Sequence, residues 1–212
     1  MVKRDIYLLS PLSVAGTIPL PMISFSLVPD KIDFEGYDLL MFTSKQAVKS
    51  AEAIDPLWKR LPAVAIGSAT QKEIEKLGGK VLYSSEEAYG EALSQAIIKQ
   101  FSDKKILYLR PKEVSFDSKR FLLGAGITIH EQIIYETSCI RYASDQSPKK
   151  DAVIVFTSPS TIRCFFENFE WDESYRAVVI GAATQKHLPD KVEYLVADEP
   201  SLEACIEKAR IL

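Results

Sequence analysis

Two short hydroxyl pairs, Thr43-Ser44 and Thr157-Ser158, stand where an apolar run ends and an amphipathic one begins. A serine in that place can cap the helix that follows, and the first amides of such a helix have no acceptor within it. Two glycine turns, Gly67-Ser68 and Gly181-Ala182, occupy the same kind of place and leave further N–H groups uncovered. A helix start carries about half a positive charge, so four starts facing one cleft would receive several carboxylates or phosphates. Arg110, at the end of another apolar run, can pair bidentately with a carboxylate or sit in a surface salt bridge. Taken singly, each of these residues is more often an ordinary cap or turn.

Other chemistry is poorly represented. His130 and His187 are far apart with no ligand-spaced neighbour, which argues against a metal site. Lys72 and Lys186 fall in first helical turns and are expected to face solvent. The chain has no GxGxxG, no GxxxxGK[ST] loop and no GxSxG elbow. From residue types and spacing alone, the chain reads as a binder of small anions, with no reaction specified.

The elements that position these groups alternate. Apolar runs of strand length lie near 5–9, 37–42, 63–66, 105–109, 151–156 and 175–180. Amphipathic segments lie near 45–54, 68–77, 88–100, 115–123, 159–168, 182–188 and 201–210, and Gly124-Ala125-Gly126 reads as a helix stop. Strands such as Tyr37–Phe42 are apolar almost throughout, as strands buried on both faces of a parallel sheet must be. The fold class is α/β with right-handed crossovers.

The chain also repeats itself. Phe42-Thr43-Ser44 returns as Phe156-Thr157-Ser158, and Ile66-Gly67-Ser68-Ala69-Thr70-Gln71-Lys72 returns as Ile180-Gly181-Ala182-Ala183-Thr184-Gln185-Lys186, both at an offset of 114 residues. Gly90-Glu91-Ala92-Leu93 is echoed more faintly by Leu202-Glu203-Ala204-Cys205. Ile106–Pro111 closes the first copy, and its echo, Ile6–Pro11, lies at the N-terminus. One domain is therefore expected from both chain ends, residues 1–20 with 141–212, and the other, 36–129, is inserted within it. Residues 21–35 and 130–140 would cross between them as an antiparallel ladder. The expected fold is two similar Rossmann-like or flavodoxin-like parallel-sheet domains joined by that two-stranded ladder.

Composition narrows the partners. Of 212 residues, 47% are hydrophobic and 26% charged, a globular balance, and the longest apolar runs are too short to span a bilayer. A net charge of −3 argues against nucleic acid as partner. No signal peptide is read at Met1-Val2-Lys3-Arg4-Asp5, so a cytoplasmic location is the default, and a monomer is expected because no oligomer surface is legible. Cys139, Cys164 and Cys205 form no CxxC and are odd in number; they are read as free packing residues in a reducing compartment.

The order of motifs resembles that of the uroporphyrinogen-III synthase family across essentially the whole chain. A strand ends in Phe42-Thr43-Ser44, followed by Ile66-Gly67 with Thr70, Tyr108-Leu109-Arg110-Pro111, and Ile134-Tyr135-Glu136-Thr137. A second Phe-Thr-Ser and a second Ile-Gly with Thr184 close the series, and Leu20–Phe25 is similar to the family's linker strand. The resemblance implies cyclisation of hydroxymethylbilane, a linear tetrapyrrole bearing eight carboxylates. Its terminal hydroxyl leaves as water and the last pyrrole is inverted through a spiro intermediate, with no metal or organic cofactor. It further implies that Tyr135 faces the cleft and assists or orients the leaving hydroxyl. Thr184, Ser44 and Ser158 would bind substrate, with Thr70, Arg110, Gly67 and Gly181 beside them. The chain departs from the pattern at Ser10-Pro11, where the family has Arg-Pro, and at Leu12–Pro19, too short for the helix found there.

A two-lobed anion receptor without catalysis is the rival reading; the unread signal peptide and the free cysteines weigh against it. A flavodoxin-like or nucleotide-dependent enzyme is a further rival, opposed by the missing glycine-rich phosphate loop.

Overall fold

A computed structural model describes residues 4–28, 30–85 and 90–212. The chain divides into two compact units, one from residues up to Ser24 with Ser138–Leu212, the other Phe25–Thr137. It opens with strands β1 (Ile6–Leu8), β2 (Ile18–Pro19), β3 (Ile23–Leu27) and β4 (Leu39–Phe42). Then follow α1 (Lys45–Ile54), β5 (Ala63–Ile66), α2 (Ser68–Lys76), β6 (Val81–Ser85), α3 (Gly90–Gln100), β7 (Ile106–Pro111) and α4 (Ser118–Gly124). Strand β8 (Ile129–Cys139) leads to β9 (Val153–Phe156), α5 (Pro159–Asn168), β10 (Arg176–Val179), α6 (Ala182–Gln185), β11 (Tyr194–Val196) and α7 (Leu202–Arg210).

Each unit holds one sheet. The orders are β3-β8-β7-β4-β5-β6 and β2-β1-β9-β10-β11. Strand for strand, the second repeats the last five of the first, with β1 standing where β7 stands and β2 where β8 stands. The pairs β7–β4, β4–β5 and β5–β6 are parallel, as are β1–β9, β9–β10 and β10–β11. The sequence repeat is thus a repeat of sheet topology, closed in one unit by the chain's own N-terminus.

Burial explains the apolar runs. In the larger sheet, Leu40, Phe42, Leu107 and Leu109 pack against Ala47, Val48 and Ala51 of α1 and Ile74 of α2. Leu39, Met41, Ile106 and Tyr108 point the other way, against Leu93 and Ile97 of α3 and Leu122 of α4. Alternate residues go to opposite faces, and both faces are covered, so each strand must be apolar throughout. Trp58 is fully buried beneath α1, and its indole N–H donates to Glu52 Oε2 at 2.8 Å. In the other unit Ile6, Leu8, Val153 and Val155 pack on Cys205, Ile206 and Ala209 of α7.

Strands β3 and β8 carry the chain from one unit to the other. Val28 N–H donates to Ile134 O at 3.3 Å and Ile140 N–H to Met22 O at 2.9 Å, so the two strands run antiparallel. This pair is not free-standing: β8 continues the large sheet by parallel pairing with β7. Pro29 of the expected linker strand, and residues 88 and 89 of the expected helix 88–100, lie outside the described residues.

Three edge elements carry no clear signal in the sequence. Strands β6 and β11 are half-exposed and β2 is two residues long, so none needs a continuous apolar run. No helix forms between Leu12 and Pro19; the backbone turns and then pairs with β1. The helix expected over 182–188 stops after four residues, at Gln185. Helix α4 ends with Gly126 at φ +79°, as a Gly after a helix allows.

The cysteines correct an expectation. Cys139, at the end of β8, is disulfide-bonded to Cys164 of α5, and only Cys205 is a free thiol among the described residues. Burial pushes the Cys205 thiol up to about 11, which leaves it protonated and inert. Among the described residues, no helix is long and apolar enough to cross a membrane.

Candidate functional site

Ser44 is the N-cap of α1: its Oγ accepts the Ala47 N–H at 3.1 Å. The same Oγ lies 3.1 Å from the phenol oxygen of Tyr135. A serine oxygen has two lone pairs and one proton. When Tyr135 donates to it alongside Ala47, both lone pairs are filled and the serine proton is left to point outward.

A single irregularity brings the two together. Along β7 and β8 the register runs Ile106↔Ile129 to Arg110↔Ile133, then slips so that Pro111 faces Tyr135. Without that extra residue Tyr135 would join the face of Ile129 and Glu131, against α3 and α4. The bulge instead puts Ile134 and Tyr135 together on the face of α1. Bulges commonly re-aim a side chain in this way. Tyr135 is 5% exposed and its ring meets Phe25 edge-on at 5.7 Å. It is a core residue with its hydroxyl at the strand ends, rather than a tyrosine lying open. Burial raises its pKa, and the bond to Ser44 opposes this only in part, so the phenol is a proton donor at neutral pH.

At the same strand ends, with Ser44 in its wall, lies a recess of about 180 Å³. Its wall includes Thr43, Tyr108, Gly90, Ser115, Phe116 and Ser118. Thr43 Oγ1 and Tyr108 OH are 2.9 Å apart. Burial holds the Tyr108 phenol up at about 12, against the lowering effect of Thr43 and Arg110, so it too stays protonated. Gly90 is required here by close approach, since a Cβ would stand 2.8 Å from the Phe116 ring.

Arg110 does not reach outward. Its Nε is 3.1 Å from Glu131 Oε1, an ion pair without hydrogen-bond alignment, and its Nη1 donates to Pro111 O and Lys112 O. Lys119 of α4 stands 3.8 Å from the other Glu131 oxygen. Arg110 therefore fixes the loop after β7, and of its two readings, a ligand grip or a salt bridge, the structure shows the ion pair. Gly67 sits at φ +74°, a conformation that glycine adopts freely, and precedes α2. Thr70 N–H donates to Gly67 O at 3.1 Å, and its side chain is buried.

The smaller unit repeats the caps. Ser158 Oγ accepts Thr161 N–H at 3.3 Å, and Thr161 Oγ1 answers by accepting Ser158 N–H at 3.2 Å. Thr184 is buried and its N–H donates to Gly181 O at 3.0 Å. Gly181 differs from its counterpart: its φ of 174° is extended backbone open to any residue, so the glycine is not demanded by the turn. Lys72 and Lys186 are exposed, as expected. Among the described residues no three His, Cys, Asp or Glu side chains are grouped to hold a metal ion.

The structure joins Ser44 to Tyr135, sets Gly67 and Thr70 in one turn and Gly181 and Thr184 in another, and ties Arg110 away. Tyr108 and Ser118 escaped the sequence reading. Tyr108 stood in view inside Tyr-Leu-Arg-Pro, whereas Ser118 lies in a polar stretch that carries no signal.

Comparison with known proteins follows the same outline. The family model of uroporphyrinogen-III synthase HemD (HEM4) matches residues 13–207. A crystal structure of uroporphyrinogen-III synthetase from Helicobacter pylori is similar at 28% identity with a TM-score of 0.82, over 97% of this chain and 98% of that one. A mutant uroporphyrinogen III synthase from the extremely thermophilic bacterium Thermus thermophilus shares the fold at 11% identity and TM-score 0.56, over 97% and 96% of the two chains. No curated protein sequence matches the chain.

Proposed function

The chain belongs to the uroporphyrinogen-III synthase family, cyclising hydro-lyases of tetrapyrrole biosynthesis, and from that premise we propose a division of labour among its residues. The substrate is hydroxymethylbilane. Its terminal C–O bond breaks, water leaves, the last pyrrole inverts through a spiro intermediate, and a C–C bond closes the ring. The proton that departs with the hydroxyl is replaced by one lost from the ring carbon at closure, so no net acid is consumed. The pyrroles supply the electron push. The protein's task is to hold one folded conformation of a flexible polyanion, which is catalysis by positioning.

The Ser44–Tyr135 hydrogen bond at 3.1 Å carries this reading. Tyr135, a neutral buried phenol, donates to Ser44, and Ser44 turns its proton to the leaving hydroxyl or to a carboxylate. Tyr135 thus acts through Ser44 and orients rather than ionises. Ser158, Thr184, Thr70 and the amides after Gly67 and Gly181 hold further carboxylates. No metal or organic cofactor enters the scheme. We read the protein as a monomer, because β6 and β11 are short, half-exposed edges that offer little to a second copy. A cytoplasmic place of action belongs to the same reading.

The test is direct. The protein is incubated with freshly generated hydroxymethylbilane, the products are oxidised and the porphyrin isomers separated. The inverted isomer III is expected; isomer I alone, the spontaneous product, overturns the assignment.

A further inference from the structure

The recess after β7 contains an unexplained group. Ser118 is 1% exposed, its hydroxyl is buried, and that hydroxyl has no hydrogen-bond partner among the described residues. A buried hydroxyl without a partner is destabilising, and most such groups in native proteins are paired. Ser118 lies in the wall of the recess beside the Thr43–Tyr108 hydroxyl pair and the exposed Ser115. One hydrogen bond between Thr43 and Tyr108 uses one of their two protons, so the recess has spare donors: one from that pair, one on Ser118 and one on Ser115. Helix α1 begins in its wall behind the Ser44 cap, and its first amides add to the surplus. Among the described residues no lysine or arginine lines it, and Glu113 is its one charged residue.

We propose that this recess is a subsite for one carboxyalkyl arm of the substrate, with Ser118 and the one free proton of the Thr43–Tyr108 pair as specificity-determining donors. The inference rests on the function proposed above and adds a location. A carboxylate only accepts hydrogen bonds, so it is the partner a donor surplus selects. About 180 Å³ suits a short arm rather than a whole tetrapyrrole. A wall of hydroxyls without a cation keeps the hold weak enough for release while the hydroxyls set direction. The close contact of Gly90 with Phe116 and the internal ion pair of Arg110 keep the recess in shape.

Two substitutions test this, Ser118→Ala in the wall and Ser115→Leu at the exposed rim, each measured for melting temperature and for kinetics on freshly generated hydroxymethylbilane. Ser118→Ala removes an unpaired hydroxyl, so its melting temperature is expected to hold or rise. Its KM should rise about tenfold, the loss of one hydrogen bond to a charged group, with more isomer I among the products. Ser115→Leu narrows the rim and should raise KM without touching the core. Rising stability with KM within twofold of the parent in both variants overturns the subsite while leaving the parent enzyme intact. Isomer I alone from the parent protein overturns the function itself, and the subsite with it.

Discussion

Replacing Tyr135 by Phe and Ser44 by Ala, singly and together, measures whether the two hydroxyls act as one unit. Tyr135→Phe keeps the ring and its edge contact with Phe25 and loses one hydrogen bond, so it should cost about 1 kcal/mol. Ser44→Ala loses the cap on Ala47 N–H, about 1 kcal/mol, and strands a phenol only 5% exposed, about 1–2 kcal/mol more. In the double variant nothing is stranded, and the cost should return to about 2 kcal/mol, so the pair is coupled by about 1–2 kcal/mol. Urea unfolding followed by Trp58 fluorescence reads this, because Trp58 is buried in the same unit and hydrogen-bonded to Glu52; a Trp171→Phe background silences the other indole. The same four proteins are assayed for isomer III. If Tyr135 works through Ser44, Ser44→Ala and the double variant should lose the same factor in rate, and Tyr135→Phe should lose less. Stability costs that add within about 0.3–0.5 kcal/mol, with independent rate losses, would show that the 3.1 Å contact is incidental.

Two further predictions concern the backbone. The Cys139–Cys164 bond spans a sequence separation of 25, and closing such a loop is worth about 3–4 kcal/mol through the unfolded chain. Air-oxidised protein should therefore melt roughly 10 °C above protein in phosphine reductant, and thiol titration after unfolding should find one thiol rather than three; identical melting would remove the bond's role. Gly67→Ala forces a side chain to φ +74° and should cost about 1–2 kcal/mol. Gly181→Ala, at φ 174°, should lie within about 0.5 kcal/mol of the parent. Equal costs at the two sites would mean that the repeat is conformationally faithful after all.

Much of the fold was open to reading because its signals are local. A strand covered on both faces must be apolar at every position, which exposed β4, β5, β7, β9 and β10. Ser44 and Ser158 announced helix starts because a hydroxyl there satisfies an amide that nothing else reaches. The edge strands β6 and β11 gave no such warning, since one side of each faces solvent and no continuous apolar run is needed. Arg110 was left between a ligand grip and a salt bridge because the sequence shows its charge and hides Glu131, which sits across from its strand on β8.

By itself the sequence determined the duplicated α/β plan, the hydroxyl and glycine punctuation at its strand ends, and the family to which that order of motifs belongs. Only the tertiary structure decided which hydroxyls meet. A one-residue slip between β7 and β8 turns Tyr135 from one face of the sheet to the other and sets it against Ser44. The physical reason is the period of two along a strand: which face a side chain takes depends on register with a partner distant in the chain, and no local pattern encodes it. The same holds for Ser118, whose hydroxyl gains its meaning only from the wall in which folding leaves it unpaired.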